Sequence, residues 1–184
     1  MTLTSMCLCL VTRTADDGGR EVLLGRKKRG FGAGNVVGLG GHVEAGESPA
    51  QAAMRELAEE SSLVVAEANL RHAAKLIFRF PARPDWDQEV TVFTTDKAEG
   101  TARECEEIAP AWYPVDGLPL EAMWDDARYW LADVLDDRRV EAEFVFADDN
   151  VTVARVRDLA EREPGAEPVR DSAAAALGED GSGA

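Results

Sequence analysis

Residues 41–63 constrain the structure of this chain more than any other stretch. Ser48 is a favourable N-cap, Pro49 suits the first helical position, and Gln51 can complete a capping box with Ser48. A helix is therefore predicted to begin at Pro49. Small and apolar residues at helical spacing give this helix a face that can pack inward, and these are Ala50, Met54, Leu57 and Ser61.

A second face of the same predicted helix is acidic, because Glu56, Glu59 and Glu60 come together at helical spacing. Neighbouring carboxylates repel one another, so the arrangement costs the helix stability. A divalent cation bound over them would explain the pattern, since hard oxygen ligands suit Mg²⁺ and Mn²⁺. Glycines ahead of the helix let the backbone approach a ligand closely, and their carbonyls can add a metal ligand. The alternative is an acidic, solvated helix that binds no metal.

This stretch resembles the Nudix box, the signature of the Nudix hydrolases. The family pattern is Gly, five residues, Glu, seven residues, then Arg-Glu-apolar-x-Glu-Glu-x-Gly-apolar. One position departs, because Ser62 stands where the family has the Gly that ends the helix in a left-handed conformation. Serine in that conformation costs on the order of 1 kcal/mol. The positions that match in register are Gly41, Glu47, Arg55, Glu56, Leu57, Glu59, Glu60 and Leu63.

Length and charge limit the possible partners. The 184 residues can bury one sizeable core, so a single domain is expected over residues 1–158, with an acidic Ala/Gly-rich tail over 159–184 that is disordered at its end. The net charge of -15 argues against a nucleic-acid polymer or an anionic membrane as partner. It does not argue against a nucleotide, because a metal and a local basic loop can overcome the background charge.

Cysteine usage and hydropathy indicate the compartment. The three cysteines form no C-x-x-C motif, and Cys7 and Cys9 are expected to pack on one face of a strand as reduced thiols. Neither a secretory signal nor a membrane span is apparent in the sequence. A cytoplasmic protein that acts as a monomer is therefore expected.

The remaining sequence predicts an α/β fold. A second amphipathic helix is predicted within 118–134, with a start near Asp125, and residues 63–65 are read as the start of a strand. Residues 104–108 are read as a short acidic loop. Strands are predicted at 6–12, 21–25, 36–39, 75–80, 89–95, 144–146 and 151–156.

Two further segments have a functional and a structural interpretation. Residues 26–34, Arg-Lys-Lys-Arg-Gly-Phe-Gly-Ala-Gly, suit a phosphate chain, and the alternative is a solvated turn that balances charge. Phe78 and Phe80 alternate on one face of a strand. They are either core residues or a wall for a flat base.

Outside the box, residues 23–156 resemble one branch of the Nudix family, the oxidised purine nucleoside triphosphate hydrolases. The resemblance implies an α/β/α sandwich around a mixed sheet. It also implies Mg²⁺-dependent hydrolysis of a nucleoside triphosphate, such as 8-oxo-dGTP, to the monophosphate and pyrophosphate. The matching pieces are Leu24-Gly25-x-Lys27-Lys28-Arg29-Gly30-Phe31-Gly32-Ala33-Gly34, Gly40-Gly41, Phe78-x-Phe80, Gly100-Thr101, Met123-Trp124 and Tyr129-Trp130.

The resemblance also implies site residues. Glu59 or Glu56 would orient and deprotonate the attacking water, and Arg55 would hold the acidic face and Glu47 in place. Lys27 would meet the phosphates. Mg²⁺, or Mn²⁺ in its place, would be bound by the Gly41 carbonyl and by Glu56, Glu59, Glu60 and Glu107. The base would be enclosed by Phe31, Phe78, Phe80, Trp124, Trp130 and Phe146, with Asp126 facing its hydrogen-bonding edge.

Two departures affect base recognition. The branch has an Asn in the pocket where this chain has Val37, and it has two adjacent aspartates facing the base. In ungapped register these become Asp126 and Ala127, whereas a one-residue slip would use Asp125 and Asp126. Losing a hydrogen-bonding reader can cost orders of magnitude in discrimination.

Three other functions compete with the triphosphate hydrolase. The first is a Nudix hydrolase of another nucleoside diphosphate derivative, either a dinucleotide or a nucleotide sugar. The second is a Nudix-fold binding module without turnover, which the intact Glu56, Glu59 and Glu60 argue against. The third is an acidic calcium-binding protein, but the chain lacks the alternating Asp/Asn loop of such sites.

Overall fold

The computed structural model describes residues 3–160, so the predicted tail beyond Ala160 lies outside the described residues. Within this range, two α-helices and a short 3₁₀-helix at Pro84–Trp86 bear on the site. The helices are α1 (Pro49–Ser61) and α2 (Ala127–Leu135). The strands are β1 (Thr4–Thr14), β2 (Arg20–Lys27), β3 (Val36–Val37), β4 (Arg71–Arg79), β5 (Gln88–Thr95), β6 (Ile108–Pro114), β7 (Val140–Phe146) and β8 (Val153–Asp158).

The strands form one mixed sheet in the order β3-β2-β1-β5-β4-β7-β8, with β6 paired to β2. Strand β1 runs parallel to β5, and β4 runs parallel to β7. The remaining pairs are antiparallel, including the β1–β2 hairpin, in which Thr12 lies opposite Val22. The mixed sheet expected from the sequence is confirmed.

Each face of the sheet is covered by one α-helix. Successive side chains of a strand point to opposite faces, and in β1 the residues Cys7 and Cys9 are fully buried in the core that contains Leu57 of α1. Leu10 of the same strand packs into the other core, with Leu131 of α2. This arrangement is the predicted α/β/α sandwich. Among the described helices, none is long and apolar enough to cross a membrane.

The start of α1 agrees with the prediction. The Ser48 hydroxyl accepts from the Gln51 N–H at 3.1 Å, and the Gln51 side chain accepts from the Ser48 N–H at 2.9 Å. The inward face is shifted from the predicted one: Leu57 and Ser61 are buried, but Ala50 and Met54 are only partly covered. The other buried residues of α1 are Ala52, Ala53 and Glu60, because the sheet contacts the adjacent side of the helix.

One other prediction was wrong, and one strand was missed. Residues 63–65 form no strand apart from an isolated bridge between Val64 and Glu99. The second helix agrees with the predicted start near Asp125, since it begins at Ala127 after short 3₁₀ turns. Strand β6 was not predicted, because its two prolines, Pro110 and Pro114, weaken the sequence signal for a strand. Prolines are tolerated in β6 because it pairs only with β2 among the described strands. Its other edge therefore forms no hydrogen bonds to a neighbouring described strand.

Ser62 ends α1 in the left-handed conformation that the family pattern reserves for glycine, with φ 64°. We expect Ser62→Gly to raise the free energy of unfolding by about 0.5–1 kcal/mol, because relief of strain exceeds the extra chain entropy of glycine. Urea unfolding measures the change. Ala58→Gly, inside the same helix, is the control and should lower stability by about 1 kcal/mol. A loss of stability in the Ser62 variant would contradict the strain argument.

Candidate functional site

One cavity opens between the glycine-rich segment before α1 and a cluster of aromatic rings. At one end it is lined by Gly40 and Gly41, and at the other by residues from β4, β7 and the start of α2. All nine residues predicted to bind substrate line this cavity, namely Lys27, Phe31, Val37, Phe78, Phe80, Trp124, Asp126, Trp130 and Phe146. The structure therefore brings them together from five separate segments, while their role in binding stays a prediction.

The aromatic end of the cavity has well-defined ring contacts. Phe80 and Phe146 are stacked, with centroids 4.4 Å apart and planes at 9°. Phe31, on the glycine-rich loop after β2, stacks on Trp124 with centroids 5.1 Å apart. Apolar faces of this kind accept a flat ring without needing hydrogen bonds. Phe78 and Phe80 are buried in the core and also line the cavity, so the core interpretation is confirmed, while a role as the wall for a base stays a prediction.

Asp126 is the acid at the aromatic end. Its side chain is buried, with 7% exposure, and accepts a hydrogen bond from Nε1 of Trp130 at 2.8 Å. Burial raises the pKa of Asp126 to about 6, and the Trp130 hydrogen bond partly opposes that rise. Asp125 instead accepts the backbone N–H of Val153 and does not line the cavity. Ala127 lines it, so the two positions of the ungapped register are the ones that reach the cavity.

Two glycines before α1 are fixed by close contacts. A Cβ on Gly40 would lie 2.1 Å from the carbonyl oxygen of Cys7, and one on Gly41 would lie 2.4 Å from Oε1 of Glu56. The Gly41 carbonyl accepts the N–H of Cys7 at 2.9 Å, which leaves a second lone pair for another partner. Any larger residue here would push the loop away from β1 or displace the Glu56 carboxylate.

Arg55 neutralises much of the acidic helix face. Its guanidinium binds Glu47 through two hydrogen bonds, of 2.8 Å and 3.0 Å. It also binds Glu56 at 2.8 Å, Glu59 at 3.4 Å and the carbonyl of His42 at 3.0 Å. These contacts are the ones expected of Arg55. They also correct the sequence argument, because the repulsion among the acids is already offset within the chain and does not by itself require a metal.

Glu60 differs from Glu56 and Glu59 because its carboxylate is buried and binds the backbone of Gly40 instead of Arg55. It is only 8% exposed and accepts the backbone N–H of Gly40 at 2.8 Å. Burial raises the pKa of Glu60 to about 7, the charges of Glu56 and Glu107 act in the same direction, and the Lys27 ammonium opposes them. The site therefore holds a carboxylate whose negative charge would be stabilised by a cation.

The predicted metal ligands do not converge. The side chain of Glu59 is 61% exposed, and Glu107 is 58% exposed and pairs with Arg29 at 2.9 Å. Among the described residues, no three His, Cys, Asp or Glu side chains lie close enough together to hold a metal ion.

The basic loop divides into two parts. Lys28 pairs with Glu104, and Arg29 pairs with Glu106 and Glu107, so these two residues balance the acidic loop before β6. Lys27 differs from them, because it lines the cavity and forms no ion pair with a described residue. The charge-balancing interpretation therefore applies to Lys28 and Arg29, and Lys27 is the residue for which phosphate binding stays a prediction.

Sequence reasoning missed two residues near the aromatic end. Trp86 was not among the predicted site residues, yet its ring lies edge-on to Phe31 and Phe80, with centroids 4.7 Å and 5.8 Å away. Gln88 was left outside the strand predicted at 89–95, yet it begins β5 and lines the cavity. Alternation could have found Gln88, because it shares a strand face with Val90. Trp86 had no local signal, since its ring contacts residues from distant segments.

The family assignment agrees with this geometry. A model of the NUDIX domain matches residues 7–134. The chain belongs to the Nudix hydrolase family. The oxidized purine nucleoside triphosphate hydrolase of Mus musculus is 38% identical over 135 residues, which cover 73% of this chain and 85% of that protein. The protein of the same name from Danio rerio is 39% identical over 141 residues, covering 77% and 88% respectively.

Solved structures share the Nudix fold. The mMutator MutT protein from Bacillus halodurans superposes with a TM-score of 0.69 at 24% identity, covering 87% of this chain and all (100%) of that one. The NUDIX domain of Shewanella oneidensis NrtR, solved with ADP ribose, has a TM-score of 0.59 at 14% identity, covering 74% and 88%. At these identities the likeness concerns the fold alone.

Nudix hydrolases generally use divalent cations, and the donor set of this member fits such an ion in its chemistry. Glu56, Glu59 and Glu60 offer carboxylate oxygens from neighbouring positions of one helix, and Gly41 offers a carbonyl with a free lone pair. These are the hard ligands that Mg²⁺ and Mn²⁺ prefer. The buried Glu60 carboxylate would gain the most from a bound cation, because its own environment disfavours the charge.

The raised pKa of Asp126 predicts how the stability of the folded protein depends on pH. Its folded-state pKa of about 6 lies above the unfolded value, so the folded protein binds this proton more tightly. The resulting stability is present below about pH 4 and is lost as the pH rises through about 6. We expect Asp126→Asn, which cannot ionise, to gain on the order of 2 kcal/mol relative to wild type across that window.

Urea unfolding of wild type and Asp126→Asn at several pH values between 4 and 8 tests this prediction. Asp96→Asn, at an exposed position, is the matched control, since background charge repulsion acts on all three proteins alike. A stability difference between wild type and Asp126→Asn that stays constant over this range would show that burial does not shift the titration of Asp126.

Proposed function

We propose that this Nudix hydrolase cleaves nucleoside triphosphates to the monophosphate and pyrophosphate, with Mg²⁺ as its metal and oxidised purine nucleotides such as 8-oxo-dGTP as its substrates. The observation that carries the proposal is a continuous cavity that joins an aromatic slot to Lys27 and to the glycine-rich segment before the acidic helix. Such a cavity matches a molecule with a flat ring at one end and phosphates at the other. The two curated relatives, at 38% and 39% identity, support the same substrate class.

The aromatic end is assigned to the base. Phe80, Phe146 and Trp124 present ring faces or edges to the cavity, and these surround a purine without hydrogen bonds. Asp126 is then the reader of the base edge. Near neutral pH its carboxyl is mainly ionised and accepts hydrogen bonds, and below about pH 6 the protonated form can donate one.

The other end is assigned to the phosphates. Lys27 supplies a positive charge at the cavity wall, and Gly40 and Gly41 let the backbone approach the substrate closely. This local charge explains how a protein with a net charge of -15 can bind a polyanion. Lys28 and Arg29 do not take part, because their charges are already paired with the acidic loop.

The acids of α1 are assigned to the chemistry. Glu56, Glu59, Glu60, Glu107 and the Gly41 carbonyl would hold Mg²⁺, with Mn²⁺ as the alternative. When bound, the metal polarises phosphoryl oxygens and lowers the pKa of water. Glu59 is the first choice for the base that takes the proton of the attacking water, because its carboxylate is the most exposed of the three on the helix. Glu56 is the second choice, and Arg55 positions both.

The reaction consumes one water molecule. Its oxygen attacks phosphorus, the bond to the pyrophosphate group breaks, and a nucleoside monophosphate and pyrophosphate leave. The water's proton passes to the carboxylate of Glu59 or Glu56. The aromatic slot keeps the base fixed during this step, so that the phosphate chain lies along Lys27 and the glycine segment.

Glu59→Gln tests the assignment of the base. We expect turnover to fall by orders of magnitude, because the amide cannot accept the proton or serve as an anionic ligand. Stability should hardly change, since this side chain is 61% exposed and its ion pair with Arg55 is long. Pyrophosphate release in the presence of Mg²⁺ is the measurement, and Glu67→Gln, just beyond α1, is the control. Near-normal turnover would exclude Glu59 as an essential base or ligand.

A substrate panel tests the proposed function as a whole. Normal and oxidised nucleoside triphosphates, dinucleotides and nucleotide sugars are incubated with Mg²⁺, and the products are separated. We expect monophosphate and pyrophosphate from triphosphates, with oxidised purines preferred, and a further gain in discrimination for Val37→Asn, which restores an amide to the pocket. Cleavage of dinucleotides or nucleotide sugars alone would support the other hydrolase, and binding without cleavage would support the non-catalytic module.

A further inference from the structure

The cavity contains one polar side chain that the proposed function leaves without a role. Three lining residues carry strongly polar side chains, and Lys27 and Asp126 are assigned to the phosphates and to the base. The third is Gln88. It is half-buried and contributes a carboxamide to a wall that is otherwise mostly apolar or glycine.

Strand pairing places Gln88 at the aromatic end of the cavity. It is the first residue of β5 and lies directly opposite Phe78 of β4. Directly opposed side chains on antiparallel strands are neighbours, with Cβ atoms about 5 Å apart. Phe78 also lines the cavity and lies 6.3 Å from Phe146, centroid to centroid. The amide is therefore near the rings assigned to the base.

The residues on either side of Gln88 show which way its side chain points. Asp87 accepts the backbone N–H of Phe80 at 2.8 Å and binds Arg79 at 3.0 Å. Glu89 pairs with Lys75 at 3.1 Å. Both acids are engaged with residues of β4 and neither lines the cavity, whereas Val90 does. Because side chains alternate along a strand, Gln88 shares the cavity face with Val90.

The amide of Gln88 is available to a ligand. It makes no hydrogen bond to a described residue, and it is not sealed in the core, since among those residues only Asn150 has a fully buried side-chain oxygen or nitrogen without a partner. Once a ligand covers this amide, the ligand must form hydrogen bonds with it, because an unsatisfied buried polar group costs about 1–3 kcal/mol. A base that cannot pair with it is therefore rejected.

We propose that Gln88 is a specificity-determining residue that reads the base edge not read by Asp126, and that it takes the role of the amide missing at Val37. An amide offers one donor next to one acceptor. The Hoogsteen edge of guanine presents two acceptors, N7 and O6, which do not match that pair. In 8-oxoguanine N7 carries a hydrogen, so the edge becomes a donor next to an acceptor and matches. This assignment of the edge rests on the proposed function.

The test measures binding of nucleoside monophosphates, which needs no turnover. Affinities of 8-oxo-dGMP and dGMP are measured in EDTA by quenching of tryptophan fluorescence, since Trp124 and Trp130 line the cavity. Wild type should bind 8-oxo-dGMP more tightly than dGMP. Gln88→Met, of similar size but without the amide, should weaken binding of 8-oxo-dGMP about tenfold or more and leave dGMP within about threefold.

Glu89→Gln is the matched control, because it changes the next residue of the same strand on the opposite face, and its preference should equal that of wild type. Gln88→Leu is the second variant, should Gln88→Met not fold, because it also removes both the donor and the acceptor of the amide. It should weaken the preference in the same way. An unchanged preference in the Gln88 variants, or no preference in wild type, would overturn the inference.

The same experiment separates this inference from the proposed function. A preference for 8-oxo-dGMP that depends on Gln88, in a protein that releases no pyrophosphate from triphosphates, would retain the role of Gln88 and reject the hydrolase proposal. Pyrophosphate release with a preference independent of Gln88 would do the reverse. Failure of wild type to bind either monophosphate would overturn the role of Gln88, because no base would then occupy the aromatic slot.

Discussion

The guanidinium of Arg55 is the contact on which the site depends. Its hydrogen bonds reach Glu47, Glu56, Glu59 and the carbonyl of His42, so that one side chain ties the loop before α1 to the helix itself. Because the donor is a guanidinium and three of the partners are carboxylates, the bonds are charge-assisted and stronger than neutral ones. The same contact lowers the pKa of Glu47 and raises that of Arg55. An acidic face that would otherwise repel itself is thereby held in one arrangement.

Arg55 does not reach every acid, and the exceptions are informative. Glu60 turns inward to the N–H of Gly40 and has a raised pKa, while Glu107 belongs to a separate loop and pairs with Arg29. The helix face thus contains both charge that the protein has neutralised and charge that it has not. We regard the unneutralised part, around Glu60, as the place where a cation would contribute most to the site.

The sheet determines how base and phosphate sites come together. Helices cover both faces, and the cavity lies where the loop between β3 and α1 passes the start of β1, with its aromatic end built from β4, β7 and the start of α2. The polar residues at the base end come from different elements, Asp126 from the start of α2 and Gln88 from β5. The proposed base recognition therefore depends on the packing of the sheet against α2, whereas Glu56, Glu59 and Glu60 are positioned by α1.

Local signals in the sequence were enough to predict much of this protein. The capping box and the start of α1 at Pro49 were predictable, because each depends on residues only a few positions apart, whereas the left-handed Ser62 was expected from the resemblance to the family pattern. The acidic face and its tie to Arg55 followed from helical spacing in the same way. The nine lining residues were named through the resemblance, which carries tertiary information that the spacing of a single sequence lacks.

Tertiary structure alone decided the rest. It turned Glu60 inward, paired Glu107 with Arg29, brought Trp86 against Phe31, and placed Gln88 opposite Phe78. It also created β6 from a segment with two prolines. Each of these outcomes depends on contacts between residues far apart in the chain, whose energies exceed local preferences and leave no periodic pattern in the sequence.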